Sequence, residues 1–281
     1  MQQRHIGTRT VGAIGLGAMP MSVREENDEE RGLATIGRAL ELGVTLIDTA
    51  DAYSPDEATF GHNEVLVAKA LRRYGAAGDV LVATKGGHTR RGTDWELDGR
   101  PSYLREACLA SLQRLGVEQI GLYQHHRPDP SVPYEETLGG LKELLDEGLI
   151  AAAGISNADP SQIRLAHTVL GGGLAAVQNQ FSPTFRSSQP EIDLCAELGI
   201  AFLAWSPLGG MSEASSLAGP FAEVARRHGV SPQQVCLAWE LSLSDAVIPI
   251  PGASRPESIA DSVEASELRL DDEDLALLNQ S

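Results

Sequence analysis

The chain has 281 residues, 42% of them hydrophobic and 22% charged, which is the balance of a globular protein long enough for one α/β barrel or two smaller domains. Its net charge of −17 argues against nucleic acid or an anionic membrane surface as a partner. No apolar run approaches the roughly 18 residues of a membrane span. The start, Met1-Gln2-Gln3-Arg4-His5, also lacks the apolar core of a signal peptide, so a cytoplasmic location is expected.

Residues 4–6 and 10–12, on either side of Gly7-Thr8, are expected to pair as a short hairpin. A first barrel strand follows at 13–18. The acidic run 25–30 leads into a helical pattern at 30–42 that keeps Leu33, Ile36, Gly37 and Leu40 on one face. A strand at 45–48, a long loop at 49–63, a strand at 80–85 and a second long loop at 86–101 come next. A helix at 101–115 then places Leu104, Ala107, Cys108, Ser111 and Leu112 together. The same rhythm continues with strands at 121–126, 151–156, 175–180, 201–205 and 246–251 and helices at 135–147, 160–170, 190–198, 221–228 and 232–243. A third long loop, at 207–220, is rich in Gly and Ser. Gly43, Gly116, Gly148, Gly199 and Gly229 follow helical patterns as C-caps, and Asp159-Pro160 and Ser231-Pro232 read as a cap followed by proline at the first helical position. The acidic run 271–274, like 25–30, is read as solvated or helix-starting.

Eight strands alternating with helices imply a parallel sheet with helices outside, and this length suits an α/β fold of the closed (β/α)₈ TIM barrel type, preceded by the short hairpin. No linker, repeat or shift of composition divides residues 1–281, so a single barrel domain is expected. Cys108, Cys195 and Cys236 are widely spaced and lie in helical patterns, which makes them buried, reduced packing residues and not a zinc or disulfide set. The histidines are likewise too scattered to argue for a metal.

Gly12-Ala13-Ile14-Gly15-Leu16-Gly17 tempts a dinucleotide fingerprint, but Met19-Pro20-Met21 follows where a helix should open, and no ribose-binding acid stands about twenty residues on. These glycines are expected instead to let backbone lie close to a ligand or a neighbouring strand.

Chemistry is expected at the carboxyl ends of the strands. Asp48 closes one, Lys85 and His126 close two others, and Tyr53 follows Asp48 by five residues. Reducing a carbonyl with hydride requires a proton for the forming alkoxide. A phenol with a pKa of about 10 becomes a better donor near neutral pH when an ammonium lowers that value. A carboxylate holds the ammonium, and an imidazole orients the carbonyl. Pairing Asp48 with Asp51 for glycoside hydrolysis would leave Tyr53 and Lys85 without a task.

The segments Leu46-Ile47-Asp48-Thr49-Ala50-Asp51-Ala52-Tyr53, Val82-Ala83-Thr84-Lys85 and Leu122-Tyr123-Gln124-His125-His126-Arg127-Pro128 resemble the aldo-keto reductase superfamily. So do Gly154-Ile155-Ser156-Asn157, Val177-Gln178-Asn179-Gln180 and Trp205-Ser206-Pro207-Leu208-Gly209. The match runs from about residue 4 to the end, one motif per strand. The resemblance implies a barrel that binds NADP(H) across its top face and acts on a small-molecule carbonyl substrate. Tyr53 is then the proton donor, Lys85 and Asp48 tune it, and His126 orients the carbonyl. His125 competes with His126, but adjacent strand residues point to opposite sides, and the family places its imidazole directly before Arg-Pro.

By the same resemblance Ser156, Asn157 and Gln178 hold the nicotinamide amide and Trp205 stacks on its ring. Ser206, Pro207 and Leu208 line the pyrophosphate, and Gly17 and Met19 approach the ribose. At the adenine end Gly252, Ser254, Arg255, Ser258, Asp261 and Ser262 are expected, with Ser254, Arg255 and Ser258 on the 2′-phosphate. Many members carry arginine where Ser258 stands and Glu-Asn where Asp261-Ser262 stand, which leaves Arg255 as the one cation of this segment and a modest preference for NADPH. Trp95, His88, Phe181 and the stretch after Gly209 are candidates for touching substrate. The alternative is a nucleotide-binding regulatory barrel with little turnover, as in the beta subunits of voltage-gated potassium channels; a barrel isomerase of sugar phosphates is a third reading. Neither the substrate nor the oligomeric state follows from the sequence.

Overall fold

The computed structural model describes residues 1–23, 27–210 and 217–280. Strands β1 (Gln3–Ile6) and β2 (Arg9–Gly12) form the expected antiparallel hairpin, turning at Gly7, whose φ is +55°. The barrel strands are β3 (Leu16–Gly17), β4 (Leu46–Asp48), β5 (Leu81–Gly86), β8 (Leu122–His125), β9 (Ala153–Ser156), β10 (Leu174–Gln180), β11 (Ala201–Trp205) and β12 (Val247–Pro249). They form one parallel eight-stranded sheet in the order β12-β11-β10-β9-β8-β5-β4-β3. The sheet closes on itself where the Gly15 and Gly17 amides donate to the carbonyls of Pro249 and Pro251, each at 3.0 Å, and Gly17 bridges Gly252. A Cβ on Gly17 would stand 2.8 Å from the Ile250 carbonyl oxygen, so this glycine permits the strand contact and not a phosphate turn.

Between the strands run α1 (Glu29–Glu41), α2 (His62–Tyr74), α3 (Pro101–Leu115), α4 (Tyr134–Asp146), α5 (Pro160–Leu170), α6 (Gln189–Leu198), α7 (Pro220–His228), α8 (Pro232–Leu243), α9 (Pro256–Glu264) and α10 (Asp272–Asn279). Asp159 and Ser231 cap α5 and α8 as expected, accepting from the amides of Gln162 and Gln234. The five helix-ending glycines all have positive φ. The sequence reading leaves α2 unassigned. It starts at Gly61, which has no capping side chain, and its buried face opens with the polar Asn63 and Glu64, so the apolar stripe begins late. The loop at 86–101 is not irregular either: it folds as a second hairpin, β6 (His88–Arg91) with β7 (Asp94–Leu97).

Side-chain alternation divides the core in two. Leu46, Leu81, Ala83, Leu122, Ala176, Leu203, Ile248 and Ile250 fill the barrel, and Ile6 and Val11 of the hairpin close its lower end. The intervening residues Tyr123, Ile155, Val177 and Phe202 face outward and pack beneath Leu104, Leu138, Ile163 and Trp239 of the helices. Cys108, Cys195 and Cys236 are buried in this outer layer, where burial pushes the first two thiols up to about 12.

Both acidic runs start helices, as expected, and Asp271 accepts from the Asp274 amide at the head of α10. Glu25 and Glu26 lie outside the described residues. Asp28 caps α1, while Glu29 and Glu30 pair with Lys69 and Arg73 of α2. Asp274 is not solvated: it is 1% exposed and meets His228 at 2.6 Å and Arg227 at 3.3 Å.

Glu240 of α8 is wholly buried, and neither of its carboxyl oxygens has a hydrogen-bond partner. Burial holds its pKa well above the usual carboxylate range. Above pH about 4.5 the unfolded chain releases this proton while the folded one keeps it, so stability declines as pH rises towards the folded value. Glu240→Met should therefore stabilise the protein by about 1–3 kcal/mol, with a larger gain at pH 9 than at pH 5 in urea unfolding. A pH-independent or negative change would contradict the assignment.

Candidate active site

The polar residues of the site sit on top of the inward-facing apolar columns. Leu46 and Asp48 share one column of β4, Leu81, Ala83 and Lys85 one of β5, and Leu122, Gln124 and His126 one of β8 and its end. The register places Asp48 beside Ala83, with Lys85 two residues farther up. Lys85 is 0% exposed, and its ammonium donates to Asp48 Oδ2 at 2.6 Å, to the Thr49 carbonyl at 2.9 Å and to the Tyr53 hydroxyl oxygen at 2.9 Å. These three bonds use all three of its protons. The Tyr53 O–H is therefore free to point away from Lys85. The second Asp48 oxygen accepts from Gln178 Nε2 at 2.8 Å.

Burial opposes the Lys85 charge, but Asp48 and Tyr53 outweigh it, and the net shift is upward. For Tyr53 the result differs from the sequence expectation. Burial raises the phenol pKa by more than Lys85 lowers it, so Tyr53 holds its proton at neutral pH instead of approaching tyrosinate. Lys85 limits the rise and orients the oxygen.

The His126 ring meets the Tyr53 ring edge-on at 5.6 Å. Burial and the neighbouring cations, Lys85 first, hold its pKa well below the usual imidazole range, so the ring is neutral. Its Nδ1 is buried without a partner, which leaves Nε2 as the nitrogen open to the cavity. His125 points outward: it is 0% exposed, lies 5.7 Å from the Tyr134 ring, and has its pKa pushed down to about 4 by burial. The alternation of β8 thus separates the two histidines as the sequence pattern required.

Above this group opens a cavity of about 590 Å³. Asp48, Tyr53 and His126 form its floor, and Gly17, Met19, Ser156, Asn157, Gln178, Trp205, Ser206, Pro207, Leu208, Gly252, Ser254, Arg255 and Ser258 lie along its wall. Two wall residues other than glycine adopt the left-handed region, Asn157 at φ +57° and Ser206 at φ +51°, at the ends of β9 and β11. Asn157 Nδ2 donates to the His126 carbonyl at 3.0 Å, and Ser156 Oγ donates to the Gln178 carbonyl at 2.7 Å. The β6–β7 hairpin covers one side with His88 and Trp95, and Arg90 pins it in place by stacking 3.9 Å over Trp95 and donating to the Ser54 and Pro55 carbonyls.

Three expected residues fall elsewhere. Asp261 turns away and accepts from Ser231 Oγ and Gln234 Nε2, both at 2.8 Å, which ties α9 to α8. Ser262 is buried and donates to the Ser258 carbonyl. Phe181 is a core residue stacked on Trp239 at 5.7 Å. Of the stretch after Gly209, Gly210 lines the cavity, and 211–216 lie outside the described residues. Sequence reasoning missed Arg127 on the wall, the Thr49 carbonyl as an ammonium acceptor, and Gln124, whose inward position the period of two from Leu122 to His126 could have given.

Comparison with known proteins adds an independent line. Residues 13–281 match the model of the aldo/keto reductase family. A probable aldo-keto reductase 1 of Glycine max is 35% identical over 309 residues, 98% of this chain and 87% of that protein. An uncharacterized oxidoreductase of Schizosaccharomyces pombe is 33% identical over 282 residues, 98% and 88% of the two chains. Among solved structures, a thermostable aldo-keto reductase in complex with the inhibitor epalrestat superposes with a TM-score of 0.84 at 28% identity, covering 100% of this chain and 99% of the other. The glycerol dehydrogenase from Gluconobacter oxydans gives 0.85 at 26%, covering 99% and 94%. An aldo/keto reductase from Klebsiella pneumoniae, solved with NADP and acetate, shares the fold at 0.84 and 24% identity, covering 99% and 94%.

The geometry makes Lys85 and Asp48 interdependent. Lys85→Met leaves the Asp48 carboxylate buried without its ammonium and should cost about 3–5 kcal/mol of unfolding free energy in urea. A loss under about 1 kcal/mol would show that the pair does not hold this end of the barrel together.

Proposed function

Because the chain belongs to the aldo/keto reductase family, we propose that it reduces aldehyde or ketone carbonyls to alcohols by hydride transfer from NADPH, with Tyr53 as the proton donor. The observation that carries this reading is the Lys85 ammonium, which uses its three protons on Asp48, Thr49 and Tyr53 and so leaves the phenol proton for the cavity. A donor of this kind serves reduction, since the alkoxide formed when hydride adds to a carbonyl is far more basic than a phenolate.

The cavity wall suits a phosphorylated dinucleotide. Ser156, Asn157 and Gln178 present hydroxyl and amide groups near the floor. Trp205 offers an indole whose N–H is buried without a partner. Arg255, next to Ser254 and Ser258, supplies a guanidinium farther along the wall, at the start of α9. A protein of the same fold is solved with NADP. When bound, NADPH supplies the hydride. Ser156, Asn157 and Gln178 would hold its carboxamide, Trp205 would pack against the nicotinamide, and Gly17 and Met19 would approach the ribose. Ser206, Pro207 and Leu208 would line the pyrophosphate, and Gly252, Ser254, Arg255 and Ser258 would take the adenine end, with Ser254, Arg255 and Ser258 on the 2′-phosphate.

His126, neutral, donates from Nε2 to the substrate oxygen and fixes the carbonyl near the Tyr53 hydroxyl. Tyr53 passes its proton to that oxygen as negative charge develops there. The Lys85 ammonium, already bonded to the phenol oxygen, stabilises the phenolate left behind, and Asp48 keeps the ammonium in position. Gln178 contributes twice, facing the cavity while its amide donates to Asp48.

Loss of nicotinamide absorbance with a reactive aromatic aldehyde tests the reading. Tyr53→Phe should lower kcat by about 10²–10⁴-fold while NADPH still binds. Tight NADPH binding by the wild type without turnover would favour the regulatory barrel instead. In the same assay Arg255→Ala should reduce the ratio of kcat/KM with NADPH to that with NADH by about tenfold, the worth of one charge-assisted contact. An unchanged ratio would remove Arg255 from the phosphate site.

A further inference from the structure

Most arginines of this acidic chain have an anionic or carbonyl partner, but Arg127 is exposed on the cavity wall and has no hydrogen-bond or ion-pair partner among the described residues. The carboxylate nearest in sequence, Asp129, is engaged elsewhere: one oxygen accepts from the Gly99 amide at 2.9 Å, the other from the Ser131 amide and hydroxyl at 2.8 and 2.6 Å. Arg127 thus lines the cavity without a protein anion to pair with.

Its surroundings place it at the reacting end. It directly follows His126, and the His88 ring stands 4.4 Å from that of His126 and 5.3 Å from that of Trp95. Both histidines are neutral, His88 with its pKa pushed down to about 4 by burial above all, so neither competes as a cation. Among the described residues the charged groups on the wall are Asp48, Arg127 and Arg255. Asp48 is neutralised by the Lys85 ammonium bonded to it, so the wall carries two unbalanced positive charges in a chain of net charge −17. With Arg255 assigned to the cofactor, the charge at the other end has no ligand.

We propose that Arg127 is a specificity-determining residue that receives an anionic group, carboxylate or phosphate, carried by the carbonyl substrate. The proposal rests on the reductase reading above and deepens it. A planar guanidinium pairs with either anion through two parallel N–H donors. The overall negative charge of the protein keeps small anions at a distance, so such a substrate is gathered only where the local field is positive.

The experiment compares matched substrates, 4-carboxybenzaldehyde against benzaldehyde and glyceraldehyde 3-phosphate against glyceraldehyde, in the wild type, Arg127→Met and Arg127→Lys. The wild type should favour the anionic member of at least one pair by about tenfold in kcat/KM, chiefly through KM, and the preference should shrink as salt is raised. Arg127→Met should abolish the preference, and Arg127→Lys should restore part of it. Which pair shows the effect distinguishes carboxylate from phosphate. Turnover of both members without preference, or a preference that survives Arg127→Met, overturns the proposal and leaves the reductase reading standing. If no aldehyde is reduced, the reading itself fails. Binding of 4-(hydroxymethyl)benzoate against benzyl alcohol, followed by tryptophan fluorescence, then still decides Arg127: carboxylate-selective binding lost in Arg127→Met supports it, and equal binding overturns it.

Discussion

An ammonium group removed from water needs an acceptor for each of its three protons, and the site is arranged around meeting that demand for Lys85. Asp48 and the Thr49 carbonyl come from the top of β4, and the Tyr53 oxygen from the turn that follows. Each can be reached only because β4 and β5 run parallel in a register that sets Asp48 against Ala83. A slip of one residue would turn Lys85 outward among the apolar side chains beneath the helices, where no carboxylate awaits it. The gross cost of burying this charge is several kcal/mol, and a well-made pair roughly offsets it. What the pair supplies is position: an anchored nitrogen that fixes the phenol oxygen.

Much of this was legible in the chain. The eight strands, the capping residues and the alternation that separates His125 from His126 follow from short-range patterns, and the structure has them, although β3 keeps only Leu16–Gly17 of the expected 13–18 and β12 stops at Pro249. What escaped the sequence depended on tertiary context. α2 hides because Asn63 and Glu64 are buried polar residues whose partners, Ser22, Thr49, Thr84 and Arg114, lie elsewhere in the chain. The balance at Tyr53 escaped because an ammonium alone argues for a lowered pKa, while the opposing desolvation depends on how deeply the floor is sealed. Asp261 could not be excluded from the cavity until α8 was seen to supply Ser231 and Gln234.

Charge is distributed unevenly in a way composition conceals. Acidic residues cap helices and pair across the outer surface, as Asp28, Glu29 and Glu30 do around α1 and α2. Inside the cavity mouth the balance reverses. His88 and His126 near the floor stay neutral, so the local charge is set by the guanidinium groups of the wall.

The closing of the barrel has a consequence for how the chain folds. Gly15 and Gly17 meet Pro249 and Pro251 across almost the whole length of the sequence, so this contact costs much loop entropy and depends on the intervening units being in place. The seam is narrow, with β3 only two residues long, yet Gly17, Ile250 and Gly252 on its two sides also line the cavity. A molecule lying across that wall touches both ends of the chain at once. Its binding free energy is thereby coupled to the last and most distant pairing of the fold, and occupancy of the cavity acts as a fastening that shifts the equilibrium against opening between β3 and β12.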